Sequence, residues 1–143
     1  MSVLIVCTAN VCRSPVAEWL WRQRADELGR PILVSSAGVD AQPGSAADPL
    51  CVALLAQRGL DLRGHRAQRL HLPDAARHEL ILVMEPKHAQ RIKLKAPVLA
   101  GRVQLLGRWS AGAIADPRGA SREVYERCLD IMSAAVEQWL QRL

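Results

Sequence analysis

Residues 2–6, SVLIV, form an unbroken, largely β-branched apolar run, and the chain turns helical within ten residues of its end. A run of that length without polar alternation is the signature of a strand covered on both faces. Further strands are predicted at residues 32–34, at 78–84 around the run LILVM, and at 103–106. Between them lie helical stretches. Residues 14–28 place Ala17, Leu20, Trp21, Ala25 and Leu28 on one face and Trp19 opposite, and Gly29-Arg30-Pro31 stops the helix. Asp48-Pro49 opens a helix to Arg58 that Gly59 closes, and residues 86–94 form a basic one. Ser121 caps a last helix, in which Val124, Cys128, Met132, Ala135, Trp139 and Leu143 recur at helical spacing. Residues 107–120, rich in glycine, read as a loop. Strands alternating with helices predict an α/β domain over residues 1–143, with a parallel sheet and right-handed crossovers.

The 143 residues are enough to bury roughly 68–70% of the surface an unfolded chain exposes. No disulfide or metal staple is therefore required. No apolar run approaches the roughly 20 residues of a membrane span, and the opening residues do not resemble a secretory signal. Cysteines at 7, 12, 51 and 128 are too unevenly placed for a disulfide framework, so a reduced, cytoplasmic setting is expected. The net charge of +5 suits an anionic partner. Its basic residues are scattered and its aromatics are only four Trp and one Tyr, which argues against nucleic acid and for a phosphorylated substrate.

In an open parallel sheet, ligands bind outside the carboxyl ends of the strands. After the first strand that place is taken by Cys7-Thr8-Ala9-Asn10-Val11-Cys12-Arg13-Ser14, a Cys-x5-Arg-Ser loop running into a helix that begins with Ser-Pro. Such a loop aims successive backbone N–H groups at one point, and the helix dipole makes that point electropositive. Phosphate fits there. Arg13 can grip two of its oxygens with a planar fork. Cys7 faces the same positive centre, so its thiolate is expected well below the free-cysteine range, as a nucleophile. Ser14 can donate to the sulfur, and Asn10 tolerates the positive φ of a tight loop.

VLIVCTANVCRSPVAE resembles the N-terminal signature of the low-molecular-weight protein tyrosine phosphatases. VSSAG, GLDLRGHRAQRL, LILVMEPKH, VQLLG and ADPRG follow in that family's order. The resemblance implies a four-stranded parallel sheet with helices on both faces, no metal and no cofactor. It implies hydrolysis of a phosphorylated protein or small phosphomonoester through a phosphocysteine, by a monomer or weak dimer. Cys7 then matches the nucleophile, Arg13 the transition-state arginine, and Asp116 the acid that protonates the leaving oxygen and afterwards activates water. Asn10, Ser36 and His65 match residues that hold the loop.

Some positions depart from that pattern. Arg118 stands after Asp-Pro, and Gln42 stands after SSAG, where relatives carry aromatic walls for the substrate ring. Ala9 replaces a common Gly. Val11 replaces the Thr of related arginine-phosphate phosphatases, which leaves that activity as an alternative. Arsenate reductase would need relay cysteines that residues 79–100 lack, and a non-catalytic phosphate-binding module has no use for all three catalytic residues. A zinc site from Cys7, Cys12, His65 and His71 is disfavoured by spacing and by Arg13. Two packing expectations remain. Cys12 should approach Cys7 closely enough to capture an oxidised sulfur as a disulfide, with Cys51 and Cys128 buried and inert. Trp21 should be buried and Trp19 more exposed.

Overall fold

The computed structural model describes residues 1–143. β1 (Ser2–Cys7) lies inside a parallel sheet of order β2-β1-β3-β4, between β2 (Leu33–Gly38) and β3 (Leu80–Val83), with β4 (Val103–Leu105) at the edge. The apolar run explains this central place, since alternate residues of β1 feed two different cores. Val3, Ile5 and Cys7 pack with α1 (Arg13–Glu27), α2 (Pro49–Ala56) and α5 (Arg122–Leu140). Leu4 and Val6 pack on the other face with Ile92 of α4 (Pro86–Lys95) and with Leu99 of a 3-10 turn at Pro97–Arg102. A short α3 (Leu72–Ala75) precedes β3.

Helix phases follow the sequence closely. Trp21 is fully buried and Trp19 only partly so. Asp48 caps α2 by accepting the Leu50 N–H at 2.9 Å, and Ser121 caps α5 through the Val124 N–H at 3.4 Å. Several assignments differ, and Leu143 falls past the end of α5. β2 runs four residues further than expected, to Gly38, because β1 offers it partners from Ser2↔Leu33 through Cys7↔Gly38. That pairing carries Ser35 and Ser36 into a strand despite their weak strand preference. Leu28 and Val124 are exposed, each lying at a helix end beyond the reach of the core. The 3-10 turn and α3 carry too little periodicity to be seen in sequence.

Candidate active site

β1 ends at Cys7 and α1 begins at Arg13, so residues 8–12 make the whole connection. Asn10 has φ +56°, the sole non-glycine residue in the left-handed region. Its fully buried amide donates to Ser14 Oγ at 2.8 Å and Ser36 Oγ at 2.9 Å, and accepts the Gln68 N–H at 2.9 Å. The Ser36 hydroxyl donates in turn to Glu18 at 2.6 Å, while His65 Nε2 donates to the Asn10 carbonyl at 2.7 Å. The loop is therefore held from α1, from β2 and from residues 65–68. Gly38 seals it from below. A Cβ there would lie 2.6 Å from the Thr8 carbonyl and 2.8 Å from the Asn10 nitrogen, so no larger residue fits.

Because Ser14 Oγ accepts from Asn10, its own hydrogen is available to Cys7 Sγ, 2.9 Å away. The Asn10 N–H adds a second donor at 3.3 Å. Burial nevertheless dominates the Cys7 thiol and pushes it up, against Ser14, the Asn10 N–H and the Arg13 charge. This differs from the lowered value expected from the loop alone. The sulfur sits in the core at 2% exposure, and desolvation opposes its charge.

Arg13 is also 2% exposed. Its Nη1 donates to Glu85 at 2.7 Å and to the Ile114 carbonyl at 2.8 Å, and its Nη2 lies 3.4 Å from Thr8 Oγ1 and 3.9 Å from Asp116. Glu85 begins α4. Burial raises its carboxyl, but the bond from Arg13 outweighs that and holds it below the usual range. His88, one turn on, accepts the Glu85 N–H at Nδ1 (3.1 Å), which places its proton on Nε2, 2.8 Å from Thr8 Oγ1. Burial, with Arg13 beside it, lowers His88 to about 4, so it stays a neutral donor to the loop. Glu85 and His88 lie within the motif LILVMEPKH, but the sequence alone assigns neither a role at the loop. Their one local signal is the reciprocal cap of α4, Glu followed three residues later by His.

Asp116 is half exposed, and its carboxylate accepts the Arg118 N–H at 3.1 Å, a turn favoured by the intervening proline. Arg118 and Gln42 line one cleft of about 360 Å³ together with Ala9, Val11 and Asp48. Both expected wall positions thus border the loop's mouth, and neither is aromatic.

The cysteines are arranged differently from expectation. Cys7, Cys12, Cys51 and Cys128 are all free and buried. Cys12 Sγ, however, lies 3.1 Å from Cys51 Sγ, while Cys7 is bonded to Ser14 and Asn10. Cys51 is not an isolated core residue, because the first turn of α2 faces the end of the loop. The bond with Cys51, then burial, push the Cys12 thiol far up; burial takes Cys128 up to about 12. Asp48 completes a trio with Cys12 and Cys51, their ligand atoms within 4.8 Å of one another. His65 and His71 lie away from this trio: His65 is on the Asn10 carbonyl, and the exposed His71 pairs with Asp74 at 3.2 Å.

Comparison with known proteins matches residues 2–143 to the family described as low molecular weight phosphotyrosine protein phosphatase. The low molecular weight protein-tyrosine-phosphatase Wzb of Escherichia coli K12 is 36% identical over 143 residues, covering 99% of this chain and 95% of the relative. A crystal structure of the low molecular weight protein tyrosine phosphatase of T. tengcongensis superposes with TM-score 0.95 at 32% identity, covering 100% and 99% of the two chains. The YwlE arginine phosphatase, solved as a cysteine-to-serine mutant with a phosphorylated active-site serine, does so with TM-score 0.95 at 31% identity, covering 100% and 95%.

Proposed function

This chain belongs to the low molecular weight phosphotyrosine protein phosphatases, and on that premise we propose that it hydrolyses phosphotyrosine in two displacements through Cys7. One observation carries the reading. A sulfur with two donors aimed at it and a buried arginine fixed by Glu85 share an anion-shaped loop, and Asp116 borders that arginine at 3.9 Å.

The backbone N–H groups of residues 8–14 and Arg13 take the phosphate oxygens. With Nη1 tied to Glu85 and Ile114, the guanidinium cannot swing away as the phosphate is drawn toward the sulfur. The Cys7 thiolate forms the S–P bond as the P–O bond to tyrosine breaks, and Asp116 gives its proton to the departing oxygen. Asp116, now a carboxylate, takes a proton from water, which attacks phosphorus and releases Cys7. Ser14 stabilises the sulfur as nucleophile and as leaving group. Loop support by Asn10, Ser36 and His65 keeps the N–H groups convergent. A phosphoarginine substrate would use the same steps with nitrogen leaving. The likeness to YwlE favours keeping it as a second reading, with Val11 presenting methyls at that position.

No helix is long and apolar enough to cross a membrane. Four free cysteines suit a reducing, cytoplasmic compartment. The test is hydrolysis of para-nitrophenyl phosphate at slightly acid pH, sensitive to vanadate and resistant to EDTA. Cys7→Ser should abolish turnover while still binding phosphate. Substantial activity in that variant overturns the covalent mechanism.

A further inference from the structure

Cys12 and Cys51 form a contact that the proposed hydrolysis does not use. Cys12 ends the phosphate loop and Cys51 lies in the first turn of α2, both buried. Their segments are tied beside the sulfurs, since the Asp48 N–H donates to the Val11 carbonyl at 2.8 Å and Tyr125 donates to Asp48 at 2.8 Å. The 3.1 Å separation needs to close by about 1 Å to make a disulfide. It is shorter than the separation of about 3.8 Å that two thiolates adopt on one tetrahedral zinc with 2.3 Å bonds. Asp48, the third donor of the trio, already accepts the Leu50 N–H with one oxygen and the Tyr125 hydroxyl with the other. The pair is set for a covalent bond.

We propose that Cys12 and Cys51 are a resolving pair: peroxide oxidation entering at Cys7 ends as a Cys12–Cys51 disulfide and returns Cys7 reduced. The inference rests on the reading of Cys7, at the end of β1, as the nucleophile. Of these equally buried sulfurs only Cys7 has groups that stabilise a thiolate, namely Ser14, the Asn10 N–H and the Arg13 charge, whereas Cys12 and Cys51 face each other and Asp48, so peroxide reacts at Cys7. In the first step the Cys7 thiolate attacks the peroxide, the O–O bond breaks, and a sulfenic acid and a hydroxide form; the hydroxide becomes the first water by taking the Cys51 proton in the last step. Cys12 then attacks the Cys7 sulfur, the S–O bond breaks, and a second water leaves. Cys51 finally attacks the Cys12 sulfur, the Cys7–Cys12 bond breaks, and Cys7 departs as thiolate. In sum, two thiols and one hydrogen peroxide give one disulfide and two waters.

The experiment treats the full chain, reduced and stripped of metal with chelator, with a small excess of hydrogen peroxide and no added thiol. Disulfides are mapped by mass spectrometry, and turnover of para-nitrophenyl phosphate is followed. The parent should accumulate the Cys12–Cys51 link and stay within about twofold of its starting activity. Cys51→Ala should match the parent before oxidation, then lose more than about tenfold, with Cys7–Cys12 or a Cys7 sulfinic acid as product. A parent that accumulates Cys7–Cys12, or loses activity as fast as Cys51→Ala, overturns the proposal. Cys7→Ser separates the relay from its premise. If that variant is inactive in hydrolysis yet links Cys12 to Cys51 at the parent's rate, the relay fails and the catalytic reading stands.

Discussion

Residues 7–14 and residues 107–120 both reach Arg13, but the first segment is sealed and the second stands largely in water. Cys7, Asn10, Cys12, Arg13 and Ser14 are at most 3% exposed, with the side chains of Asn10 and Ser14 hydrogen-bonded inside the protein. In the other segment Ile114 is the anchor. It is buried, its N–H donates to the Met84 carbonyl and its carbonyl accepts from Arg13, while Asp116 and Arg118 are exposed. The difference fits the roles proposed for the two segments. An anion site works only if its donors already point the right way, which demands a network from which no member can relax. A proton donor that serves a leaving group and then water has to remain accessible to both.

The comparison breaks most readily at Asp116. Asp116→Ala should slow phosphotyrosine hydrolysis by about 10²–10⁴-fold, least for leaving groups that need no proton. Its melting temperature should stay close to the parent's, because surface changes of this kind cost within about 0.5 kcal/mol. A variant that loses stability along with turnover would show that residues 107–120 are as integral as the phosphate loop.

Asn10→Ala should behave the opposite way. It removes three hydrogen bonds made by a fully buried amide and leaves an Ala at φ +56° with no side-chain bonds to compensate. A loss of roughly 3 kcal/mol in denaturant unfolding, together with weaker phosphate binding, is expected. Retained stability would mean that Ser36, Gln68 and Ser14 hold the loop without it.

His88 sharpens the contrast through pH. Its folded value of about 4 lies below the ordinary 6.5, so on acidification the unfolded chain takes the proton first. Stability should be full above pH 6.5 and fall as pH drops towards 4, by at most about 3 kcal/mol. Glu85 offsets part of the repulsion from Arg13, Lys87 and Arg91. His88→Asn should flatten that segment of the urea-midpoint profile. An unchanged profile would assign the acid sensitivity to other groups.

The smallest effect is expected at the cleft. An aromatic wall is worth about 0.5–1.5 kcal/mol beyond area burial, and neither Arg118 nor Gln42 supplies one. Arg118→Tyr should raise kcat/KM for aryl over alkyl phosphates by about tenfold at most and weaken a salt-sensitive preference for acidic flanking residues. If both preferences survive unchanged, Arg118 does not border the bound substrate.

Much of this molecule was legible because its decisive signals are local. A β-branched run, a capped helix and a Cys-x5-Arg loop are each specified by residues adjacent in the chain, so the strand, α1 and the loop between them could be read directly. Trp21 and Trp19 sorted correctly for the same reason, helical phase being a property of one segment. What the sequence could not disclose depends on register between segments far apart. Parallel pairing Val6↔Val83 brings the end of β3 beside the end of β1, and only then does Glu85 meet Arg13 and His88 meet Thr8. The pairing Cys7↔Gly38 makes a glycine obligatory beneath the loop. Burial of Cys7, which sets the direction of its thiol, is likewise a property of the packed whole. So is the contact between Cys12 and Cys51: chain proximity pointed only to Cys7, while the packing of α2 against the loop brings Cys51 to 3.1 Å from Cys12. Sequence determined which groups could do the chemistry, since side-chain type and local conformation are written residue by residue. Tertiary structure decided which of them touch, because contact across the sheet depends on where strands and helices come to rest.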